Sequence, residues 1–263
     1  MTVAAVFEWL GAGNNLRFIL EGFLINLQIA VVAIVLALIA GLALALLRLS
    51  RLRAVSFVTG LWVDVFRNLP LLLLILFLFL WIPTSARDTW ESAVPSWMPE
   101  AWQSGLMLAG LSGLVLYNSA VLAEIMRAGI LSLPRGQAEA AQALGLNYRQ
   151  AMRHVVLPQG LRRMVPATVS QLITLNKDTT LVSIIAITEV MRRARTVTAT
   201  SGNPFTGGGV EAPILEVFLF VGLLFIIVNY ALSQLSRRLE VRETARTGSA
   251  PKVEVRGLEE QVA

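Results

Sequence analysis

Long apolar runs constrain this chain more than any other feature of its sequence. The run from Phe23 to Leu47 contains only two polar residues, Asn26 and Gln28. About 20 predominantly apolar residues in a helix cross the hydrocarbon core of a bilayer, so the run predicts a transmembrane helix. The residues before it, MTVAAVFEWLGAGNNL, show neither a basic segment nor the cleavage site of a secretory signal. We therefore expect this first span to be retained.

The composition agrees with a membrane protein. Hydrophobic residues make up 56% of the chain and charged residues 15%, whereas soluble domains have about 45–50% and about 25%. The chain has no cysteine, which excludes disulfides, thiolate metal sites and cysteine nucleophiles. Its one histidine, His154, leaves little room for a histidine metal site or a catalytic triad. We attribute the net charge of +5 to arginines in cytoplasmic loops rather than to nucleic-acid binding.

Four further segments predict four more spans. They lie within 54–83, 104–126, 164–187 and 212–235. Arg48, Arg51 and Arg53 follow the first span with no acid among them, and the positive-inside rule places this end in the cytoplasm. We therefore predict an all-α integral membrane protein with five transmembrane helices, an external N-terminus and a cytoplasmic C-terminus. The expected domains are an external segment 1–22, a transmembrane domain 23–237 with a cytoplasmic loop 129–163, and a disordered cytoplasmic tail 238–263.

The segments predicted to be external carry two signals. Residues 82–103 form a polar loop, and the tryptophans in and beside it fit an aromatic belt at the outer interface: Trp81, Trp90, Trp97 and Trp102. Before the first span, Phe7, Trp9 and Leu10 fit an interfacial position and a disordered tail equally well.

The segment 188–211 conflicts with this topology, because it is placed outside and contains Arg192, Arg193 and Arg195. Moving it inside would export the C-terminal tail, which also contains arginines. That arrangement would violate the positive-inside rule more strongly, so we keep the segment outside.

Ionisable residues occur near the cytoplasmic ends of the second and third spans. Asp64 and Arg67 are three residues apart, as are Glu124 and Arg127, so each couple shares a helix face and can pair. Charges inside a span usually face the protein interior or a water-filled path. For Asp64 and Arg67, a neutralised pair and a functional role are equally open. For Glu124, we favour an interfacial ion pair.

A polar insert interrupts the fourth span. It consists of Asn176, Lys177, Asp178, Thr179 and Thr180. At 1.5 Å per residue, it falls near the middle of a span that begins near Met164. Ionisable residues at that depth are expensive and usually functional, and transporters build polar sites at broken helices near the midplane. The alternative is that Lys177 and Asp178 neutralise each other and fix a broken helix.

The loop from Gly129 to Arg163 is rich in arginine and has a single acidic residue, Glu139. Its charges make it unfit to cross the membrane, and it lacks a plausible catalytic set. Composition alone favours a solvated amphipathic loop.

Local signals divide this loop into two helices. Pro134 separates it from the third span, and an alanine-rich helix is expected from Gln137 to Leu144. Gly145 can adopt the left-handed conformation that ends a helix. Asn147 is the expected N-cap of a second helix that reaches about Val156, and Pro158 predicts the next break.

The same loop contains a spaced motif. Glu139-Ala140-Ala141 is followed after three residues by Gly145, and after nine more by Val155, one residue, and Leu157-Pro158. This pattern resembles the EAA motif of ABC-importer permeases, with Val155 in place of isoleucine. SLPRGQAEAAQALGL, EGFLINLQIA, VFRNLPLLL, AEIMRAGI and NKDTTLVSIIAITEVMRRA resemble the polar amino acid branch of that family.

The resemblance implies a type I ABC importer transmembrane fold and a loop that docks into a cytoplasmic ATP-binding subunit, itself a dimer. It assigns this coupling role to Gly136, Glu139, Ala140, Ala141, Gly145, Val155, Leu157 and Pro158. ATP and Mg²⁺ are expected on that partner, because this chain lacks the phosphate-loop pattern G-x-x-x-x-G-K-[ST] and needs no cofactor of its own.

The other expected partners are a second permease chain, identical or related, a periplasmic amino acid-binding protein and the lipid of a bacterial inner membrane. The resemblance places Asn176 to Thr180 on the pathway. Phe66-Arg67-Asn68-Leu69-Pro70 resembles acidic amino acid systems, so glutamate, aspartate or glutamine is the expected substrate. The alternatives are a stand-alone secondary transporter or channel, suggested by Lys177 and Asp178, and a membrane scaffold that binds through its basic loop.

Overall fold

The computed structural model describes residues 8–11, 14–199 and 213–247, and these residues form helices and connections without a β-strand. We number the α-helices in chain order: α1 (Glu8–Gly11), α2 (Asn15–Arg48), α3 (Arg53–Asn68), α4 (Leu71–Trp81), α5 (Thr84–Ala93), α6 (Glu100–Gln103), α7 (Leu106–Leu131), α8 (Arg135–Ala143), α9 (Tyr148–Ala151), α10 (Leu157–Arg163), α11 (Val165–Asp178), α12 (Val190–Ala199) and α13 (Ile214–Thr247).

The central contact of the fold joins α2 and α7. Small residues let the two helices approach closely: a Cβ atom on Gly41 of α2 would lie 3.0 Å from the carbonyl oxygen of Ser119 in α7. The short helix α4 packs on α7 closer to the N-terminus of α7, where Ile75 lies against Gly113. The main apolar core lies between these three helices and is completed by residues from α11 and its continuation.

Three helices are long and apolar enough to cross a membrane within the described residues, namely α2, α7 and the part of α13 from Ile214 to Val241. The expected second span is a pair of helices, α3 and α4, bent by 103°. The bend lies at Leu69-Pro70, where Leu69 is extended at φ −75° and ψ 138°. Proline has no amide hydrogen and disfavours helical geometry in the preceding residue. The pair brings the count of possible spans to four.

The expected fourth span is too short as an α-helix to cross a bilayer alone. Helix α11 has 14 residues and ends at Asp178. The chain then tightens into a 3₁₀ segment, Thr179–Ile185, which ends at Ala186 with a left-handed φ of 69°. The predicted interruption at the polar insert is therefore a change of helix type.

Two expectations for the aromatic residues need correction. Trp9 is 1% exposed and packs against Phe220 of α13, so it belongs to a packed core and not to a disordered tail; Phe7 lies outside the described residues. Trp102 is buried and donates its indole hydrogen to Gln28. Within the expected belt, Trp81 and Trp97 are the members with large exposed surfaces.

The expected boundary of the disordered tail also shifts. Helix α13 continues to Thr247, so residues 238–247 are helical, and residues 248–263 lie outside the described part of the chain. Strong helix formers occupy this stretch, including Leu239, Glu240 and Arg242, which allows the helix to run on past the apolar segment.

Helix α12 packs beside the first turns of α2. Arg193 donates to Glu21 at 3.1 Å and to the carbonyl oxygen of Phe18 at 2.8 Å. The segment that conflicted with the topology therefore lies at the N-terminal end of α2. One of its three arginines is neutralised there, while Arg192 and Arg195 are exposed.

Candidate functional site

Helix α8 presents a face of small residues to solvent. Gly136, Glu139 and Ala140 are exposed, and Leu144, just after the helix, is 84% exposed. Ala141 is 3% exposed and faces inward. The three adjacent residues of the motif are thus divided, with Glu139 and Ala140 available for a partner and Ala141 supporting the helix.

The turn between α8 and α9 has the predicted glycine geometry. Gly145 has φ 85°, which only glycine adopts without strain. The amide of Leu146 donates to Ala141 at 3.1 Å and that of Gly145 to Gln142 at 2.9 Å, the two hydrogen bonds of a Schellman motif. Asn147 then caps α9 in a reciprocal capping box with Gln150. The predicted left-handed glycine and N-cap are both present.

The predicted break at Pro158 is wrong. The helical path continues from α9 through a π-helical segment, Met152–Val156, directly into α10. Pro158 lies in the first turn of α10. A proline in a helix cannot donate to the carbonyl four residues earlier, and the wider π turn removes the need for that bond at this point. The second loop helix is therefore longer and stiffer than expected.

The loop is attached tightly to the inner end of α7. A Cβ atom on Gly160 would lie 3.1 Å from the Cα atom of Ile130, and one on Gly129 would lie 3.1 Å from the carbonyl oxygen of Gly160. Ile130, Leu133 and Val156 form a buried core beneath the loop. Because backbone meets backbone here, a movement of α10 must displace α7.

The motif residues of the second helix belong to this attachment. Val155 and Leu157 are half-buried, and Leu157 packs against the core beneath the loop, whereas Pro158 is exposed. The spaced motif thus combines an outward surface on α8 with an inward anchor around α10.

An ion cluster lies next to this attachment. Glu124 of α7 accepts from Arg127 at 3.0 Å, lies 3.9 Å from Arg67 of α3 and binds Arg48 of α2 directly. Asp64 lies 3.6 Å from Arg67 and 3.7 Å from Arg48. Both predicted couples are present, but they merge into one cluster because Arg48 joins them. The cluster ties three helices together, which favours a structural role for these charges.

A second polar cluster holds the interrupted fourth segment. The side-chain amide of Asn26 in α2 donates to Thr179 at 2.9 Å and to Glu189 at 2.8 Å. Its oxygen accepts from the amide of Val190 at 3.0 Å. Asn26, Thr179 and Glu189 are all fully buried. One asparagine thus connects the start of the 3₁₀ segment with the start of α12.

Glu189 lies just beyond the segment expected to cross the membrane. Burial raises the pKa of its carboxyl, while hydrogen bonds from Asn26 and the amides of Met191 and Arg192 act in the opposite direction. The pairing explains how an acidic side chain is tolerated without solvent contact.

Some residues of the polar insert are buried among these groups, and others are exposed to solvent. Asn176 is buried and donates to Asn229 of α13 at 3.0 Å, and its own side-chain oxygen is buried without a hydrogen-bond partner in the described part of the chain. Lys177 is exposed, and Asp178 and Thr180 are half-buried. Among the described ion pairs, none joins Lys177 to Asp178. The alternative of mutual neutralisation thus lacks a direct contact.

Comparison with known proteins explains why an outward loop surface and membrane helices occur in one chain. A family model described as "Binding-protein-dependent transport system inner membrane component" matches residues 33–242. The chain belongs to this family. It is therefore an integral membrane permease of an ABC transport system, and the EAA motif is the family's own. ATP hydrolysis in such systems belongs to separate subunits.

Individual relatives agree along most of their lengths. The permease is 38% identical over 239 residues to the "Probable glutamine ABC transporter permease protein GlnP" of Bacillus subtilis (strain 168), covering 90% of this chain and 100% of the relative. It is 31% identical over 236 residues to the "Glutamate/aspartate import permease protein GltK" of Escherichia coli O157:H7, covering 90% and 98%.

Solved structures support the type I ABC importer permease fold. The permease matches a chain of an amino acid ABC transporter with histidines at a TM-score of 0.68 and 25% identity, covering 86% of this chain and 94% of that one. It matches the inward-facing MetNI methionine ABC transporter at a TM-score of 0.58 and 19% identity, covering 85% and 95%, which supports the fold alone.

Sequence reasoning did not assign a role to three residues that organise the permease: Asn26, Glu189 and Asn229. Asn26 and Asn229 are among the few polar residues within long apolar runs, and that was the available signal. Their partners are far away in the chain, so spacing alone does not connect them.

We expect Asn26→Leu to destabilise the permease, because Glu189 and the amide of Val190 lose a buried partner. Each buried polar group left unpaired costs about 1–3 kcal/mol. Thermal unfolding in detergent measures the effect. Asn68→Leu is the matched control, because Asn68 is exposed and its side chain bonds within its own helix. Equal melting temperatures for the two variants would contradict the role of Asn26.

Proposed function

We propose that this permease moves a polar amino acid into the cytoplasm, and that its loop 129–163 couples the movement to an ATP-binding subunit. One observation carries the proposal: the loop that presents the exposed face of α8 also packs on α7, where Gly160 of α10 meets Gly129 backbone to backbone. A partner that grips α8 therefore acts on a membrane helix through α10. The names of the relatives, which refer to glutamine and to glutamate and aspartate, support the substrate class.

The proposed topology has five crossings, made by α2, the bent pair α3–α4, α7, α11 with its 3₁₀ continuation, and α13, in a bacterial inner membrane. The arginine-rich inner ends of α2 and α7 support a cytoplasmic loop. The position of α12 beside the start of α2 supports its assignment to the opposite side. The N-terminus is then external and the C-terminus cytoplasmic.

The proposed partners are a dimer of ATP-binding subunits, a second permease chain, and a periplasmic amino acid-binding protein. Gly136, Ala140 and Gly145 keep the docking face flat enough for close contact, and Glu139 provides a polar contact. Leu144 adds an exposed apolar side chain at the tip.

The proposed pathway passes the polar insert. Lys177 is exposed and lacks an ion-pair partner among the described residues, so its ammonium is available for a substrate carboxylate. Asp178 and Thr180 lie beside it and can receive a substrate ammonium. Asn176 and Thr179 point away from solvent and hold the segment to α13 and α2.

Uptake in proteoliposomes tests the function. We expect labelled glutamine, glutamate or aspartate to enter only when the permease, an ATP-binding subunit, the binding protein and ATP are all present. Uptake by the permease alone, driven by an ion gradient, would instead support a stand-alone transporter. Transport in no combination would support a scaffold.

Gly136→Trp tests the docking face. A Cβ atom at Gly136 would meet nothing within 4 Å, so the indole can be accommodated by the permease and should obstruct only the partner. We expect the variant to lose co-purification of the ATP-binding subunit by at least about tenfold, which corresponds to about 1.4 kcal/mol. Gly11→Trp is the matched control, because Gly11 is equally open. Normal co-purification with Gly136→Trp would place the docking site elsewhere.

Lys177→Met tests the pathway, because it removes the charge and keeps the length of the side chain. A hydrogen bond to a charged group contributes about 1.5–3 kcal/mol, so we expect the uptake rate to fall by about tenfold or more at unchanged expression. Thr174→Val, one turn earlier and also exposed, should transport normally. Parallel losses of uptake and expression in Lys177→Met would indicate a structural role.

A further inference from the structure

The short connection between α2 and α3 reaches the loop from the side. Leu49 packs against the buried core formed by Ile130, Leu133 and Val156 beneath the loop. This contact is separate from the covalent attachments of the loop, which run through α7 and α11. The α2–α3 connection, residues 49–52, is called the corner below.

The corner makes a second contact at the start of α9. The guanidinium carbon of Arg51 lies 4.1 Å from the centre of the Tyr148 ring, within the range of a cation–π interaction. Tyr148 follows Asn147, whose capping box with Gln150 fixes the backbone at this point. The ring is therefore held at a defined place on the loop.

A cavity of about 320 Å³ lies beside these contacts. Its lining includes Leu49 from the corner and Gln142, Tyr148 and Met152 from the loop. Because the space between corner and loop is not filled by continuous packing, the contact of Arg51 with Tyr148 holds the outer edge of the corner against the loop.

The corner is rigidly connected to α3. The hydroxyl of Ser56 in α3 donates to the carbonyl oxygen of Arg48 at 2.7 Å, and the amide of Leu52 donates to the hydroxyl of Ser50 at 3.2 Å. Arg48 also lies 3.7 Å from Asp64 and binds Glu124. These contacts tie the end of α2 to α3 across the corner, so a displacement of the corner is transmitted to α3.

We propose that the corner is a second attachment of the loop, and that Arg51 and Tyr148 are positioning residues that make α3 move together with the loop. This inference rests on the proposed docking of an ATP-binding subunit to α8. It adds a route from the docking face to the bent pair α3–α4, beside the direct route through α7. Movement at the loop then reaches two of the crossings next to the polar insert.

Cross-linking tests whether corner and loop move as one body. The permease has no cysteine, so Arg51→Cys combined with Tyr148→Cys provides its only thiols. The double variant is assembled with a cysteine-free ATP-binding subunit and the binding protein in proteoliposomes, and treated with a short bismaleimide. Both substitutions remove the ring contact, so we expect the cross-link to form, to replace that contact and to leave uptake no lower than in the untreated double variant. Failure to form the cross-link, or a block of uptake once it forms, overturns the proposal.

Substitutions test whether the ring contact carries the coupling. Tyr148→Leu removes the ring, and we expect the number of ATP molecules hydrolysed per amino acid imported to rise at least about threefold while the ATP-binding subunit still co-purifies. Tyr148→Phe keeps the ring face and should retain the wild-type ratio. Arg51→Leu should raise the ratio of ATP hydrolysed to amino acid imported as much as Tyr148→Leu does. The variant that combines both leucine substitutions should show no larger rise than either alone, because the two residues share one interaction.

Other outcomes overturn the positioning role. An unchanged ratio in Tyr148→Leu, or additive effects in the double variant, would show that the contact transmits nothing. Loss of the ATP-binding subunit in Tyr148→Leu would place the ring in the docking face instead. Failure of the docking proposal itself is distinguished by Gly136→Trp, which would then leave co-purification intact.

Discussion

The arrangement of this permease depends on bringing together the charges at the C-terminal ends of α2, α3 and α7. Glu124 meets that requirement for three arginines at once, because Arg48, Arg67 and Arg127 converge on its carboxylate. Charges near hydrocarbon are tolerated when they face the protein interior and each other. These charges can pair only where α2, α3 and α7 meet at one point. Helix α3 reaches this point at an angle of 103° to α4.

Nearer the N-terminus of α2, the side-chain amide of Asn26 pairs buried polar groups in the same way. Asn26 satisfies Glu189, Thr179 and the amide of Val190 together. The long helix α2 therefore has two polar junctions, one at its C-terminal end that positions the bent pair and one in its N-terminal half that positions the interrupted fourth segment. Between the junctions, small residues such as Gly41 let α7 pack closely. The loop that we propose as the docking site of the ATP-binding subunit thus extends from helices that are tied together by both junctions.

Local features of the site could be predicted because they depend on neighbours in the sequence. The left-handed Gly145 and the N-cap at Asn147 follow from conformational preferences of single residues. The couples Asp64–Arg67 and Glu124–Arg127 follow from helical spacing. The prediction failed at Pro158, because the rule that proline breaks helices takes no account of a π turn that accommodates it. It also failed for Trp9 and Trp102, whose burial depends on helices far away in the chain.

The sequence by itself determined that this is a helical membrane protein with a basic loop that carries the EAA motif, because apolar length, helix signals and a spaced motif are all local properties. Only the tertiary structure decided which polar residues meet. Arg48 and Glu124 are separated by 76 positions, and Asn26 and Glu189 by 163. Such partners are selected by how helices cross and pack, and helix packing depends on the shapes of whole faces rather than on the spacing of single residues. The same reason explains why the corner at Arg51 and its contact with Tyr148 became visible only in the folded chain.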